Sequence, residues 1–359
     1  MKKQICIAVA LIVASIVTGC SNNFNLVKND TTKKTNIKIG VTVYDQYDTF
    51  IDSLLDSLNS CAKEKEQQTG VTITVDIVNA SGSQITQNEQ VENFADKDYD
   101  MICVNLVDRT DTSVIIDKAK TSNIPIIFFN RELVEEDLER WEKLYYVGAM
   151  AVESGILQGE IVTNLWVDNK EELDKNQDGK MQYVMLEGEA GHQDASVRTE
   201  YSVNTIMDSG IQVDKLANGI ANWNRAQATT KMGLWMEKYK KEIEVVIANN
   251  DDMALGALDA LRNARWAEED YPVIVGIDGT EEALNELQAG RLTGTVLNDE
   301  HGQANGILEL AYSLVMGIDL PEDIQLIDGK YIRIPYKQVT KENIDGILEE
   351  VNSTRKNQY

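Results

Sequence analysis

Residues 174–198 read DKNQDGKMQYVMLEGEAGHQDASVR, a polar loop, an alternating apolar run and the start of an amphipathic segment. The loop offers oxygen donors at Asp174, Asn176, Asp178 and Gln182, with Gly179 sixth in order and Lys180 seventh. This is the register of a calcium loop, in which alternate residues point inward, the sixth turns sharply and the seventh gives its backbone carbonyl. An EF-hand closes such a loop with a bidentate Glu at the twelfth place, where this chain has Met185. The run Gln182–Glu187 also alternates like a strand instead of continuing as a helix. The loop is therefore either a solvated turn or a metal site whose last carboxylate comes from elsewhere; its hard oxygen donors point to calcium. After the strand, His192, Asp194 and Arg198 gather at a helix start, Asp194 and Arg198 four apart on one face.

A strand followed at once by a helix recurs along the chain. Ile37–Val43, Val71–Val78, Met101–Leu106 and Ile124–Phe129 read as Ile/Val-rich strands. Between them, Asp48–Gln68, Gln84–Ala95 and Thr112–Ser122 read as helices. A second series begins at Tyr145–Val147 and passes through Gln182–Leu186, Ile243–Ala248, Val273–Gly276 and Leu292–Val296 to a last strand at Tyr331–Ile334. Apolar strands linked by crossover helices predict parallel sheets. The strands are too many for one ordinary sheet, so the expected fold is α/β, with two doubly wound, Rossmann-like lobes joined by several short hinges. In open sheets of this kind ligands bind beyond the carboxyl ends of the strands.

Polar and aromatic residues stand at those ends: Tyr44, Asp48 and Phe50 after the first strand, Asn105 after the third, then Trp223, Asn250, Asp278 and Asn298. Each is individually explained as a helix cap or turn former, and Phe50 equally as core. Together they suit a pyranose, whose hydroxyls pair with planar Asp, Asn and Arg groups and whose C–H faces pack on aromatic rings such as Phe50 and Trp223.

The chain has 59 acidic and 34 basic residues, a formal net charge of −25. This disfavours nucleic acid as a partner and suits an exported binder of neutral or cationic ligands. Lys2 and Lys3 precede an apolar run, Ile5–Val17, too short to span a bilayer. It ends in Val17-Thr18-Gly19-Cys20, which resembles the lipobox of bacterial lipoproteins and implies cleavage before a lipidated Cys20. Two further cysteines, Cys61 and Cys103, read as buried thiols. With two histidines in the whole chain, a zinc site is not expected.

The loop, strand and Gly191-His192-Gln193-Asp194 cluster resemble the periplasmic galactose/glucose-binding proteins of sugar ABC importers, which have a type I periplasmic-binding-protein fold. Matching motifs run from Ile39-Gly40-Val41-Thr42-Val43-Tyr44 through Asn105-Leu106-Val107-Asp108 and Val246-Ile247-Ala248-Asn249-Asn250-Asp251 to Gly294-Thr295-Val296-Leu297-Asn298-Asp299. The resemblance implies that Asp48, Phe50, Asn105, His192, Asp194, Arg198, Trp223, Asn250, Asp278 and Asn298 contact a hexose. It also implies that Glu244 is the remote bidentate ligand of a calcium ion held by Asp174, Asn176, Asp178, Lys180 and Gln182. Two departures, Tyr47 in place of an acidic residue and Gln193 in place of proline, are not among the contacts.

The expected organisation is a signal peptide (1–20), a tether (21–36), an N-terminal lobe (37–129 plus 299–329), a C-terminal lobe (130–298 plus 330–350) and a tail (351–359). The resulting expectation is a monomeric lipoprotein on the extracytoplasmic face of the cell membrane. It closes on D-galactose or D-glucose and delivers it to an ABC permease; it is not an enzyme. The same closure would serve a receptor reporting sugar to a histidine kinase or chemoreceptor. A glycosidase would need an opposed carboxylate pair, and no clear Glu pair stands among these residues. An intracellular sugar-responsive repressor would need a DNA-binding headpiece.

Overall fold

The computed structural model describes residues 34–356. Cys20, the signal segment and nearly all of the expected tether lie outside the described residues. In chain order the first half contains β1 (Asn36–Val43), α1 (Thr49–Thr69), β2 (Thr72–Asn79), α2 (Gln84–Asp96), β3 (Met101–Val104), α3 (Ser113–Ser122), β4 (Ile126–Phe129), α4 (Glu135–Leu138) and β5 (Leu144–Gly148). There follow α5 (Ala151–Asp168), α6 (Lys170–Leu173), β6 (Lys180–Glu187), α7 (Gln193–Asp208), β7 (Gln212–Ile220), α8 (Arg225–Tyr239) and β8 (Val245–Ala248). The chain continues through α9 (Asp251–Asn263), β9 (Val273–Val275), α10 (Glu281–Gln288), β10 (Gly294–Leu297), α11 (Glu300–Met316), β11 (Tyr331–Arg333), β12 (Lys337–Thr340) and α12 (Ile344–Lys356).

The strands form two six-stranded sheets, ordered β11-β5-β4-β3-β1-β2 and β12-β10-β9-β8-β6-β7. The central strands are buried from end to end, for example Met101–Val104 and Val245–Ala248. Helices on both faces explain why these sequences are continuous apolar runs with no alternation. On the first sheet α1 and α11 cover one face, where Ile51, Leu54 and Leu58 meet Ile307 and Leu308, while Val91 and Ile115 of α2 and α3 cover the other. The second sheet is covered on one side by α8 and α9, with Met232 and Leu258, and on the other by α5 and α7, with Ile161 and Ile206. Each fully buried aliphatic or aromatic side chain of this kind contributes about 1.5–3 kcal/mol.

The chain passes between the sheets three times, after β5, after β10 and between β11 and β12. The lobe limits therefore differ from those expected. Leu144–Gly148, assigned above to the C-terminal lobe, pairs with β4 in the first sheet through Ile126↔Leu144. Tyr331–Arg333 pairs with β5 through Tyr331↔Tyr146. Periodicity marks such a segment as a strand, and only backbone pairing says which sheet receives it. The strand β7, not foreseen, lies at the edge of the second sheet, half-exposed and carrying Asp214 and Lys215. Its pairing with β6 is also interrupted by a register shift at Tyr183/Val184. One pairing, β12 with β10, is antiparallel. The expected tail at 351 is instead a continuation of α12 to Lys356.

Candidate binding cleft between the lobes

The carboxyl ends of the strands bring a set of polar side chains to one small cavity of about 40 Å³. Its walls include Tyr44, Asp48, Phe50, Asn130 and Arg131 from the first lobe. From the second come His192, Asp194, Arg198, Trp223, Asn250, Asp278 and Asn298. Nine of the ten residues expected to contact sugar are thus brought together. Asn105 instead stands behind the wall. It is fully buried, accepts from the Tyr44 N–H at 3.3 Å, and donates to the Phe129 carbonyl and Asn130 Oδ1 at 3.2 and 3.0 Å.

Capping and lining are the same act for three of these residues. Asp48 Oδ1 accepts from the Ile51 N–H at the start of α1, and Oδ2 accepts from the Tyr44 hydroxyl at 2.6 Å. Asn250 Oδ1 accepts from the Met253 N–H at the start of α9. His192 Nδ1 accepts from the Asp194 N–H at 3.1 Å at the start of α7. A helix N-terminus placed directly after a parallel strand points its cap into the cleft.

The His192 ring has a defined state. Burial first, against the opposing pull of Asp194 and with help from Arg131 and Arg198, lowers its pKa to about 4. It is therefore neutral at pH 7, and with Nδ1 accepting, the proton sits on Nε2 as a donor. Its ring meets Trp223 edge-on at 5.1 Å. Arg198 is 4% exposed and donates to the Asn249 carbonyl at 2.8 Å and to the Tyr336 hydroxyl at 3.1 Å. Asp194 and Asp278 lie 3.6 and 3.9 Å from its terminal nitrogens, while its Nε is buried without a partner. Burial raises the Asp278 carboxyl well above the carboxylate range; Arg198 opposes this, and Asp251 and Asp48 add to it.

The backbone is strained where the walls turn. Asn130 (φ 59°), Trp223 (φ 60°) and Asp278 (φ 128°) all hold positive φ, a cost met by surrounding contacts. Asp278 is fixed by its N–H to Val296 O (2.9 Å) and by its carbonyl, which accepts from the Asn298 N–H (3.0 Å). Fully buried Gln158 of α5 ties the ends of β8 and β9 by donating to the Ala248, Val275 and Gly276 carbonyls. Gly188 permits the close approach of Trp223: a Cβ there would stand 2.2 Å from the indole.

Sequence reasoning missed Asn130 and Arg131 as lining residues, although the strand-end rule applied to β4 points to both. Arg131 is 6% exposed, and its guanidinium lies 3.4 Å over the Tyr44 ring. It also bonds Glu189 across the cleft at 2.8 Å. A second bond between the lobes joins Thr49 Oγ1 to Asp252 Oδ2 at 2.6 Å. The thiols of Cys61 and Cys103 are free and buried, and burial pushes that of Cys61 up to about 12.

The second polar loop, before β6, lies at the other end of that strand. Asp174 accepts from the N–H groups of Asp178 and Gly179, Asn176 from that of Asp178, and Asp178 from that of Lys180. Gly179 supplies the turn with φ +80°. Glu244 is 1% exposed and accepts from the Lys175 and Gln182 N–H groups at 2.7 and 2.9 Å. Among the described residues no group of three or more His, Cys, Asp or Glu side chains is drawn close enough to hold a metal. The donor chemistry nevertheless fits a hard divalent cation. Gln182 Oε1 is buried with no partner, and burial, with Asp174 nearby, raises the Glu244 carboxyl despite its backbone bonds.

Two sheets joined by three crossings, with a polar cleft at their carboxyl ends, define a two-lobed binding protein of the type I periplasmic-binding-protein fold. Residues 39–319 match the periplasmic binding protein domain, and the chain belongs to that family. It is 36% identical over 314 residues to the D-galactose/methyl-galactoside binding periplasmic protein of Haemophilus influenzae, covering 87% of this chain and 92% of that one. A xylitol-binding protein of Mycolicibacterium smegmatis is 29% identical, covering 97% and 88%. Among solved structures, an ABC transporter solute-binding protein of Bacillus halodurans with bound myo-inositol has a TM-score of 0.72 at 27% identity, covering 88% and 99%. Among the described residues no helix is long and apolar enough to cross a membrane.

Proposed function

We propose that this chain is the sugar-binding component of an ABC importer, taking D-galactose or D-glucose between its lobes. The observation that carries the reading is the single cavity to which both lobes contribute carboxylates, amides and an arginine each, Arg131 from the first and Arg198 from the second, together with the aromatic rings of Phe50 and Trp223. Asp48, Asp194 and Asp278 accept from sugar hydroxyls; Arg198, Asn250, Asn298 and His192 Nε2–H donate. None acts as an acid–base catalyst. A cavity of about 40 Å³ holds a few waters and no hexose. Entry therefore requires the Arg131–Glu189 and Thr49–Asp252 bonds to part, and the bound sugar shifts the balance between open and closed forms that a permease reads.

Calcium, held by Asp174, Asn176, Asp178, Gln182, Glu244 and the Lys180 carbonyl, would brace the second lobe away from the sugar. The chain works as a monomer anchored through Cys20. Titration of tryptophan fluorescence with galactose, glucose and ribose, in calcium and then in chelator, tests both sites. Saturation by the hexoses and not by ribose supports the reading; a flat response to all three refutes it. Hexose binding indifferent to chelator refutes the calcium site alone.

A further inference from the structure

A larger cavity of about 560 Å³ opens beside the small one. Arg131, His192 and Asp194 line both, so the two share a wall. From the first lobe the larger cavity takes Gln84, Val107 and Thr110, and from the second Glu189 and Gln193. Its charges are already engaged. Arg131 pairs with Glu189, Arg109 donates to the Glu132 carbonyl, and Glu132 pairs with Arg333. Asp108 accepts from the backbone N–H and hydroxyl of Thr110. Gln193 also lines the cavity, and its Oε1 is buried with no hydrogen-bond partner. Space for a second ring, polar walls with balanced charge and an unmet acceptor together suit an uncharged, hydroxyl-rich group.

We propose that the larger cavity is a second subsite that receives a further sugar unit joined to the first, so that the cleft binds disaccharides as well as single hexoses. Gln193 accepts a hydroxyl of the second unit, and Arg131, His192 and Asp194 flank the linkage. This rests on the hexose reading of the small cavity.

Calorimetric titration of the purified protein with galactose, lactose and melibiose tests it, repeated on the variants Thr110→Trp and Gln193→Ala. At least one disaccharide is expected to bind within tenfold of galactose. Thr110→Trp fills the larger cavity and should weaken that disaccharide at least tenfold with galactose unchanged. Gln193→Ala should weaken it several-fold by the same comparison, without adding bulk. Galactose binding with neither disaccharide bound overturns the subsite and leaves the hexose site standing. Disaccharide affinity unmoved by both variants also overturns it, and binding of none of the three sugars overturns both readings.

Discussion

Replacing Gly188 by alanine isolates the packing of Trp223 from its chemistry. The new Cβ would lie 2.2 Å from both Cη2 and Cζ2 of the indole and 2.5 Å from Cε2, where ordinary contact begins at 3.4 Å. Gly188 does not have positive φ, so the substitution adds a collision and no backbone strain. The ring must retreat by more than an ångström, and it is held by a backbone whose φ of 60° leaves little freedom. Overpacking of this kind costs about 1–3 kcal/mol. If the cost falls on the closed form, hexose affinity drops by roughly 5- to 150-fold, at 1.4 kcal/mol for each factor of ten. Part of the cost falls on the fold as well, and the melting temperature then drops by about 2–4 °C for each kcal/mol. Gly233, in α8, is the control: a Cβ there meets nothing within 4 Å. Gly233→Ala should therefore stabilise by about 0.5–1 kcal/mol through helix propensity alone. Calorimetric titration with galactose and a thermal melt read both variants. Gly188→Ala with wild-type affinity and wild-type melting would show that Trp223 does not form the wall described.

His192 makes closed-lobe stability depend on acid. Its folded pKa of about 4 lies below its usual 6.5, so its contribution is present above pH 6.5 and is lost as pH falls toward 4, by up to ~3 kcal/mol. Asp251, raised by burial to about 6, acts in the opposite sense over an overlapping range. The comparison is therefore between wild type and His192→Gln, whose stability difference should narrow on acidification; a constant difference refutes the assignment. Arg198→Lys loses the fork that reaches both Asn249 and Tyr336. It should cost about 1–3 kcal/mol by denaturant unfolding, as leaving a buried hydrogen-bonding group unpaired does, and abolish measurable hexose binding; near-wild-type stability would contradict the network. Calcium at 100 times its dissociation constant should add about 2.7 kcal/mol of stability. Glu244→Gln should remove most of that gain, and an equal calcium response in both proteins would exclude Glu244 as a ligand.

The strand ends were legible because each polar residue follows an Ile/Val run. Asp48, Asn250 and Asp278 follow β1, β8 and β9 as the parallel-sheet rule requires. Residues that fold over the cleft without starting a helix were harder to see. Asn130 and Arg131 precede only the single-turn α4, so no cap signal marks them. Asn105 obeys the strand-end rule yet turns inward to hold Tyr44 and Asn130, an orientation that depends on its neighbours' backbone. Sheet membership was hidden for the same reason: Tyr145–Val147 is apolar on both faces and would satisfy either lobe. The strand β7 was obscured by its exposure and its interrupted register. The place of Glu244 beside the polar loop could be anticipated only through resemblance, since 62 residues separate it from Gln182.

The late placement of β11 governs how the molecule can be made. The first sheet begins with Asn36 and cannot gain its edge strand until Arg333 is available. The cover of α1 by α11 likewise waits on the segment Glu300–Met316. During synthesis at roughly 5–20 residues per second, the N-terminal lobe therefore lacks an edge and part of one face for tens of seconds. It completes itself only after the second lobe's five parallel strands have appeared. Contacts of such long sequence separation slow folding.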